Sequence, residues 1–294
     1  FGGGGLPRCH AHDAKAGHGL GCSLFRARRL MKRHLLLATL LSFSALTPAH
    51  AVDERYPDYE PRPGLAGEAS VAGAPAPASL LLLWPESFRM AQPETVLHPG
   101  GAEGGVRIRA AVEAIAVLVN AENPLACIPL DALHTLYTDE NPSWSMAGGP
   151  STPVLAMARE TEPGESDFFA EAALTGAPFA PGVVRVARYS DLLDRLAETP
   201  GGIGYAPAGY RGDGVKALQV SDGGGCAAPS ASSAYRADYP LARFVHLEGM
   251  KNEVSLAFFD YVLSQDGQRD GVIAGFYSLP WVFAEEEREK LRLD

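Results

Sequence analysis

The stretch RETEPGESDFF, which runs from Arg159 to Phe169, has the residue types needed to hold an anion. The apolar residues before it predict a strand over 153–158, and those after it predict a helix that continues to Leu174. A strand that ends in an arginine, a turn with a glycine and a helix N-terminus together offer a positive side chain and free backbone N–H groups. Arg159 and Gly164 are therefore candidate ligand-binding residues for an oxyanion.

The same turn also carries four carboxylates, namely Glu160, Glu162, Glu165 and Asp167. Two unit charges about 4 Å apart interact by roughly 4 kcal/mol at an effective dielectric constant near 20, so several acids could outweigh one arginine. Acidic residues in a first helical turn also stabilise the helix dipole, which gives them a purely structural role. A site for a cation or an amine is a third alternative, and the sequence leaves all three open.

A basic and then apolar segment predicts a signal peptide over residues 31–51. Met31 begins a short basic stretch, the apolar run LLLATLLSFSAL follows, and Ala-His-Ala at 49–51 matches a signal peptidase site. The run is too short to span a bilayer, and a short buried core helix is the alternative. We expect residues 1–30 to be an upstream non-native segment and the mature protein to be periplasmic or secreted.

The net charge of −10 at pH 7 argues against nucleic acid as a partner.

Beyond the leader the cysteines are Cys127 and Cys226, and two cysteines in an oxidising compartment favour one disulfide. Neither cysteine belongs to a CxxC or Cys/His cluster, and His98, His134 and His246 lack metal-ligand spacing. We predict no metal, no other cofactor and, without a catalytic constellation, no enzymatic activity.

Strand and helix patterns alternate beyond the leader, which predicts an α/β architecture. Residues 112–119, VEAIAVLV, predict a buried strand, and residues 252–263 predict a helix with one apolar face. Residues 52–65 are rich in Pro and Gly and predict a flexible lead-in, whereas 283–294 predict a charged, helical and exposed tail. The motif GGIGY at 201–205 lacks the Lys-Ser/Thr of a P-loop and predicts a tight turn.

An ordered series of motifs over about residues 66–282 resembles the periplasmic phosphate-binding protein family, the substrate-binding subunit of phosphate ABC transporters. The series consists of VEAIAVLVNAENP at 112–124, LYT at 136–138, Trp144 with GGP at 148–150, the Arg159 turn, GGIGY at 201–205, YPLAR at 239–243, VLSQDGQ at 262–268 and GFYSLP at 275–280. The resemblance implies a two-lobed type 2 periplasmic-binding-protein fold. One lobe would comprise about 66–117 plus 240–282, and the other about 118–239.

The chain departs from the family at its ligand groups. After the arginine the family usually has Ser-Gly-Thr, whose hydroxyl and N–H groups hold phosphate. Here Gly164 is kept, but Pro163 and Glu165 replace the two hydroxyl residues. Pro163 has neither a hydroxyl nor an N–H group, and Glu165 repels phosphate. The ligand site implied by the resemblance is therefore degenerate.

The first lobe departs from the family as well. The family's Gly-Ser-Ser turn is matched by Gly101-Ala102-Glu103, which leaves Gly101 as a candidate backbone donor without hydroxyl partners. Gly105 is followed directly by Val106, where the family has several tens of residues with a ligand-facing strand. The first lobe is therefore expected to be truncated.

The resemblance implies an exported solute-binding protein that captures a small oxyanion, phosphate or a similar ion, between two lobes. Its partner would be an ABC transporter permease in the inner membrane. The alternative is a binding-protein-like scaffold or interaction protein that has lost phosphate binding.

Overall fold

The computed structural model describes residues 52–73, 78–100, 105–160 and 165–292, so the leader predicted at 31–51 lies outside the described residues. The strands are β1 (Gly67–Gly73), β2 (Thr95–Pro99), β3 (Val106–Asn120), β4 (Cys127–Pro129), β5 (Leu155–Arg159), β6 (Val184–Val186), β7 (Gly202–Pro207), β8 (Val215–Ser221), β9 (Ala242–Gly249) and β10 (Tyr277–Ser278). The helices are α1 (Ala78–Ala91), α2 (Leu130–Thr138), α3 (Glu165–Leu174), α4 (Tyr189–Glu198), α5 (Ala231–Tyr235), α6 (Glu253–Val262), α7 (Gln265–Ile273) and α8 (Trp281–Arg292), with a 3-10 helix at Trp144–Ala147. The predicted α/β class is confirmed.

Strand β3 lies at the centre of the sheet, whose order is β2-β1-β9-β3-β7-β5-β6. It is 15 residues long, and it pairs antiparallel with β9 along its first half and with β7 and β8 along its second half. The pattern at 112–119 predicts most of the part of β3 in which the side chains on both faces are buried, which is 110–120. The earlier part alternates, because Arg107 and Arg109 have acidic partners while Ile108 is buried.

Two hydrophobic cores lie along β3 and define two lobes. The first-lobe core is built around Trp84, Phe88, Phe258 and Phe259. The second-lobe core is built around Tyr137, Trp144, Phe169 and Tyr205. Each core buries large aromatic side chains, which remove the most apolar area per residue from water.

The strand β3 passes from one core to the other between Ala111, in the first-lobe core, and Val112, in the second-lobe core. Its antiparallel partner β9 crosses at the same level, since Val112 pairs with Phe244 in the ladder. We refer to residues 111–114 of β3 and 242–245 of β9 as the lobe junction. Strand β10 is a third strand at this level, because Tyr277 pairs with Val112.

The sheet of the first lobe is continuous, although the chain passes from Gly105 straight into β3 without the additional segment that the resemblance leads us to expect there. Strand β1 pairs parallel with β2 on one side and antiparallel with β9 on the other, so that Val71 faces Gly249. A Cβ atom on Gly249 would lie 2.9 Å from the Phe259 ring and 3.2 Å from the Ser70 carbonyl oxygen. The absence of a side chain at this position therefore lets β1 approach β9 closely and lets α6 cover the contact.

The segment that precedes β1 contributes to the first-lobe core. Tyr56 is buried and donates a hydrogen bond to the Leu279 carbonyl oxygen at 2.5 Å. Tyr59 is also buried, with its ring 5.2 Å from the ring of Tyr261. The Pro- and Gly-rich composition of 52–65 predicts flexibility, but these two aromatic side chains attach the segment to the lobe.

The charged tail forms helix α8, as predicted, but one face of the helix is buried rather than exposed. Glu287 is 0% exposed and accepts a hydrogen bond from Arg109 of β3 at 2.5 Å and one from Lys290 at 2.6 Å. The Arg109 guanidinium also lies 4.5 Å from the ring centroid of Phe283. Sequence patterns do not show that Glu287 is buried, because Arg109, the residue that pairs with its charge, lies 178 positions away in the sequence.

Cys127 and Cys226 form a disulfide, as predicted, with their Cα atoms 6.1 Å apart. Cys127 begins β4, and β4 pairs parallel with β8. Cys226 lies in the loop that follows β8, next to a bridge between Val220 and Ala227. The disulfide therefore fastens the loop after β8 to the start of β4 in the second lobe.

The two cysteines are 99 positions apart in the sequence, so the chain-entropy model predicts that the disulfide adds at most about 4.7 kcal/mol to the free energy of unfolding. We expect dithiothreitol to lower the melting temperature of the purified protein, measured by circular dichroism. The double variant C127S/C226S should melt at the lower temperature and be insensitive to the reductant. Two alkylatable thiols in the non-reduced protein that begins at residue 52, which lacks Cys9 and Cys22, would contradict the disulfide.

Replacing Glu287 by Ala removes a buried carboxylate and leaves Arg109 without that partner, so we expect a loss of about 3 kcal/mol in the free energy of unfolding. The matched control is Glu286→Ala. Glu286 also pairs with Arg109 but is 52% exposed, and its loss should cost less than about 1 kcal/mol. Urea unfolding measures both, and equal effects would show that the burial of Glu287 does not matter.

Candidate functional site

Arg159 lies at the end of β5 and is half-buried. Strand β5 lies between β6 and β7 and runs parallel to both. The Arg159 guanidinium packs on the ring of Tyr189 at 4.6 Å, and the Arg159 carbonyl oxygen accepts a hydrogen bond from Arg185 at 3.2 Å. A basic side chain thus stands at the carboxyl end of a strand with a parallel neighbour on each side, where α/β proteins commonly bind ligands.

Helix α3 begins at Glu165, six residues after Arg159, so a strand, a turn and a helix follow one another as predicted. The Ser166 hydroxyl in the first turn of α3 lies 3.1 Å from the Tyr205 hydroxyl of β7. The next turn adds Phe169, whose ring stacks on that of Tyr205 at 3.9 Å. These contacts hold the start of α3 against the central sheet.

Among the acids near Arg159, Glu160 and Asp167 are described, and both side chains are exposed. The Glu160 backbone N–H donates to the Val186 carbonyl oxygen at 2.9 Å, which continues the β5–β6 ladder by one residue. Because exposed charges are screened by water and salt, these two carboxylates repel a nearby anion less than buried ones would.

Both candidate ligand-binding glycines, Gly164 and Gly101, lie outside the described residues, as does Pro163. The position of Arg159 is therefore described, whereas its arrangement with the two glycines stays a prediction. The backbone of Glu165 is described as the first residue of α3.

An ion pair that the sequence analysis did not identify lies at the lobe junction. Glu113 of β3 and Arg243 of β9 face each other in the antiparallel ladder, and the Arg243 Nε donates to Glu113 Oε2 at 2.6 Å. The guanidinium of Arg243 also lies 4.0 Å from the ring centroid of Phe168 in α3. One signal was available in the sequence, because Glu113 is the single charged residue in the run VEAIAVLV and a buried charge requires a partner.

The motif GGIGY acts as a packing element. All six residues of β7 are buried. A Cβ atom on Gly201 would lie 2.7 Å from the Pro153 carbonyl oxygen, and one on Gly204 would lie 2.8 Å from Leu192. The predicted tight turn fits these contacts, since the glycines let β7 pack against its neighbours.

Tyr137 and Tyr277 are neutral at pH 7. Burial raises the pKa of Tyr137 well above its usual value, and Tyr205 adds a smaller effect in the same direction. Burial also raises the pKa of Tyr277, although Arg211 acts in the opposite direction. Their phenol groups therefore serve as hydrogen-bond donors and add no negative charge that would repel an anion.

Within the described parts of the chain, no cluster of His, Cys, Asp and Glu side chains could hold a metal ion. A search of the same residues finds no helix that is both long and apolar enough to cross a membrane.

Comparison with known proteins relates the chain to phosphate-binding proteins. It is 23% identical over 324 residues to the phosphate-binding protein PstS of Pseudomonas aeruginosa, an alignment that covers 91% of this chain and 100% of that protein. It is 26% identical over 238 residues to the phosphate-binding protein PstS of Bacillus subtilis, with 69% of this chain and 78% of that protein covered.

Solved structures show the same fold. A possible phosphate-binding protein from Planctomyces limnophilus superposes with a TM-score of 0.68 at 18% identity, over 78% of this chain and 98% of that one. An ABC-type phosphate transport receptor from Vibrio cholerae gives 0.60 at 16% identity, over 74% of this chain and 100% of that one. The predicted type 2 periplasmic-binding-protein fold is confirmed, in a form with a short first lobe.

The family model described as a PBP superfamily domain matches residues 62–266, which is more than half of the chain. The motifs at 112–124, 201–205 and 239–243, on which the resemblance rests, fall within that match. The chain therefore belongs to the PBP superfamily, and its resemblance to the periplasmic phosphate-binding protein family is confirmed.

Proposed function

We propose that this protein is an exported solute-binding protein that captures a small oxyanion, phosphate or a similar ion, between its two lobes. The observation that carries the proposal is the position of Arg159, which ends β5, lies directly before the turn that leads into α3 and packs on Tyr189. An arginine and the N-terminal N–H groups of a helix are complementary to a tetrahedral oxyanion.

The family supports the same function. The relatives from P. aeruginosa and B. subtilis are named as phosphate-binding proteins, and the V. cholerae neighbour is described as a phosphate transport receptor. By this likeness the protein would deliver its ligand to an ABC transporter permease in the inner membrane and would catalyse no reaction. Arg159 is the principal anchor, and the backbone N–H groups of Gly164 and Gly101 are proposed as further donors.

A second candidate function is a scaffold or interaction protein that keeps the fold without binding phosphate. It is favoured by Pro163 and Glu165, which stand where the family has hydroxyl donors. The two candidates differ in one measurable property, the affinity for inorganic phosphate.

Isothermal titration calorimetry with inorganic phosphate tests the proposal, and we expect a dissociation constant below about 10 μM. Arg159→Ala should weaken binding by about 30-fold, because a charge-assisted hydrogen bond contributes about 2 kcal/mol. The matched control is Arg188→Ala. Arg188 directly precedes Tyr189, is exposed and pairs with Asp191. No heat signal at millimolar phosphate would favour the scaffold.

Export is tested separately by N-terminal sequencing of the protein recovered from the periplasm or the medium. We expect the mature chain to begin at Val52, since Ala51 ends the predicted leader. Replacing Ala49 and Ala51 by bulky residues should retain the unprocessed form, because signal peptidase requires small side chains at these positions. Recovery of the protein only from the cytoplasm would contradict export.

A further inference from the structure

A surface cavity of the first lobe collects positive charge. It has a volume of about 170 Å³ and lies where the segment before β1 meets α6 and α8. Three of its lining residues are arginines and only one is acidic, so the lining has an excess of two positive charges, although the chain as a whole carries −10. We refer to it as the arginine cavity. Its lining residues are Arg62, Leu256, Asp260, Arg288, Leu291 and Arg292.

Asp260 of α6 joins two of these arginines. Its Oδ1 atom lies 2.8 Å from Arg288 Nη2, and its Oδ2 atom lies 3.5 Å from Arg62 Nη2. Arg288 Nη1 also donates to the carbonyl oxygen of Leu263, at the end of α6, at 3.0 Å. The two guanidinium groups are therefore neighbours on one carboxylate, and Arg288 is fixed in place by a second partner.

Arg292 adds a third guanidinium from the next turn of α8. Residues four apart lie on the same face of a helix, so Arg292 follows Arg288 along the cavity. Arg292 is exposed, and within the described parts of the chain no carboxylate pairs with it. Glu286 and Glu287 of the same helix pair instead with Arg109 of β3.

The backbone around Arg62 is held against α6. Tyr59, three residues earlier, packs its ring 5.2 Å from that of Tyr261, the residue after Asp260. Leu65, three residues later, donates its backbone N–H to the Arg62 carbonyl oxygen at 3.3 Å. The Arg62 side chain itself is 43% exposed. Its guanidinium therefore has a fixed place beside Asp260 and is still open to a ligand from solvent.

The N–H donors around the cavity exceed the acceptors that Asp260 supplies. Each guanidinium has five N–H donors, whereas one carboxylate offers two oxygen atoms. Three positive charges near one another also repel, and one carboxylate offsets only part of that repulsion. A tetrahedral oxyanion brings further oxygen atoms and further negative charge, and guanidinium groups bind such ions through paired hydrogen bonds.

We propose that the arginine cavity is a binding site for a tetrahedral oxyanion of the phosphate type, which Arg62, Arg288 and Arg292 hold against α6. The bound ion fastens the segment before β1 and helix α8 to the first lobe. This site is separate from the one proposed at Arg159, which lies in the second lobe, and does not depend on it. Helix α8 follows the region 62–266 that the family model matches, so two of the three arginines lie beyond the matched domain.

The arginine Nε–Hε signals in the ¹H–¹⁵N NMR spectrum of the purified protein test the proposal residue by residue. We expect sodium phosphate, added at constant ionic strength, to shift the signals of Arg62, Arg288 and Arg292 along a saturating curve with a dissociation constant of about 1 mM. Sodium chloride at the same ionic strength should give no saturating shift.

Two variants and a matched control locate the site. Arg292→Ala removes an exposed side chain from the cavity and should weaken phosphate binding by about 5-fold. Arg62→Ala should weaken it by about 10-fold, because a charge-assisted hydrogen bond is lost. The control Arg55→Ala removes an arginine of the same segment that is also exposed and paired with an aspartate, Asp53. It should leave the dissociation constant within about 2-fold of the wild type.

The outcomes are decisive for the cavity and separate it from the site at Arg159. Equal shifts with chloride, or an unchanged affinity in Arg292→Ala or in a folded Arg62→Ala protein, would overturn the proposal. Thermal unfolding shows which variants are folded, and if Arg62→Ala is not, Arg292→Ala decides alone. Arg159→Ala should leave the three signals responding as in the wild type. If it abolishes their response, they report binding in the second lobe and the proposal fails.

Discussion

The antiparallel pairing of β3 with β9 is the constraint on which the rest of the structure depends. These two strands contribute residues to both cores, so each lobe is completed by the same ladder. A bulge between Arg109 and Ala111 lies just before the junction, and an extra residue of this kind bends a strand and increases its twist. Strand β10 adds a third connection there, with Tyr277 hydrogen-bonded to the Pro229 carbonyl oxygen and Tyr235 to that of Ser278.

The short first lobe is stabilised by contacts that come from distant parts of the sequence. Direct pairing of β1 with β9 keeps the sheet continuous. Helix α8 covers Arg109 with a buried carboxylate, and Arg288 of the same helix pairs with Asp260 of α6 at 2.8 Å. The segment before β1 adds Tyr56 and Tyr59 to the same core. A small lobe buries a smaller fraction of its surface, which makes such added contacts more important.

Charge at the candidate site is distributed unevenly between the solvent and the interior. The described acids of the Arg159 turn are exposed, where water and salt screen them. Glu113, in contrast, is fully buried and paired with Arg243 at the lobe junction. In a medium of low dielectric constant such a charge acts over a longer distance than the exposed ones. The sequence shows the acids of the turn, whereas the structure adds a buried carboxylate that is paired with an arginine at the junction.

The sequence by itself determined the α/β class, the order of the motifs, the disulfide between Cys127 and Cys226 and the place of Arg159 before a helix. These features follow from local periodicity, from the number of cysteines beyond the predicted leader and from an ordered series of short motifs. Only the tertiary structure decided that Glu113 pairs with Arg243, that Glu287 is buried against Arg109 and that β1 joins β9 directly. The physical reason is that a buried charge, or a strand that pairs on both sides, has a partner 130 or more residues away, and no local pattern encodes which partner that is.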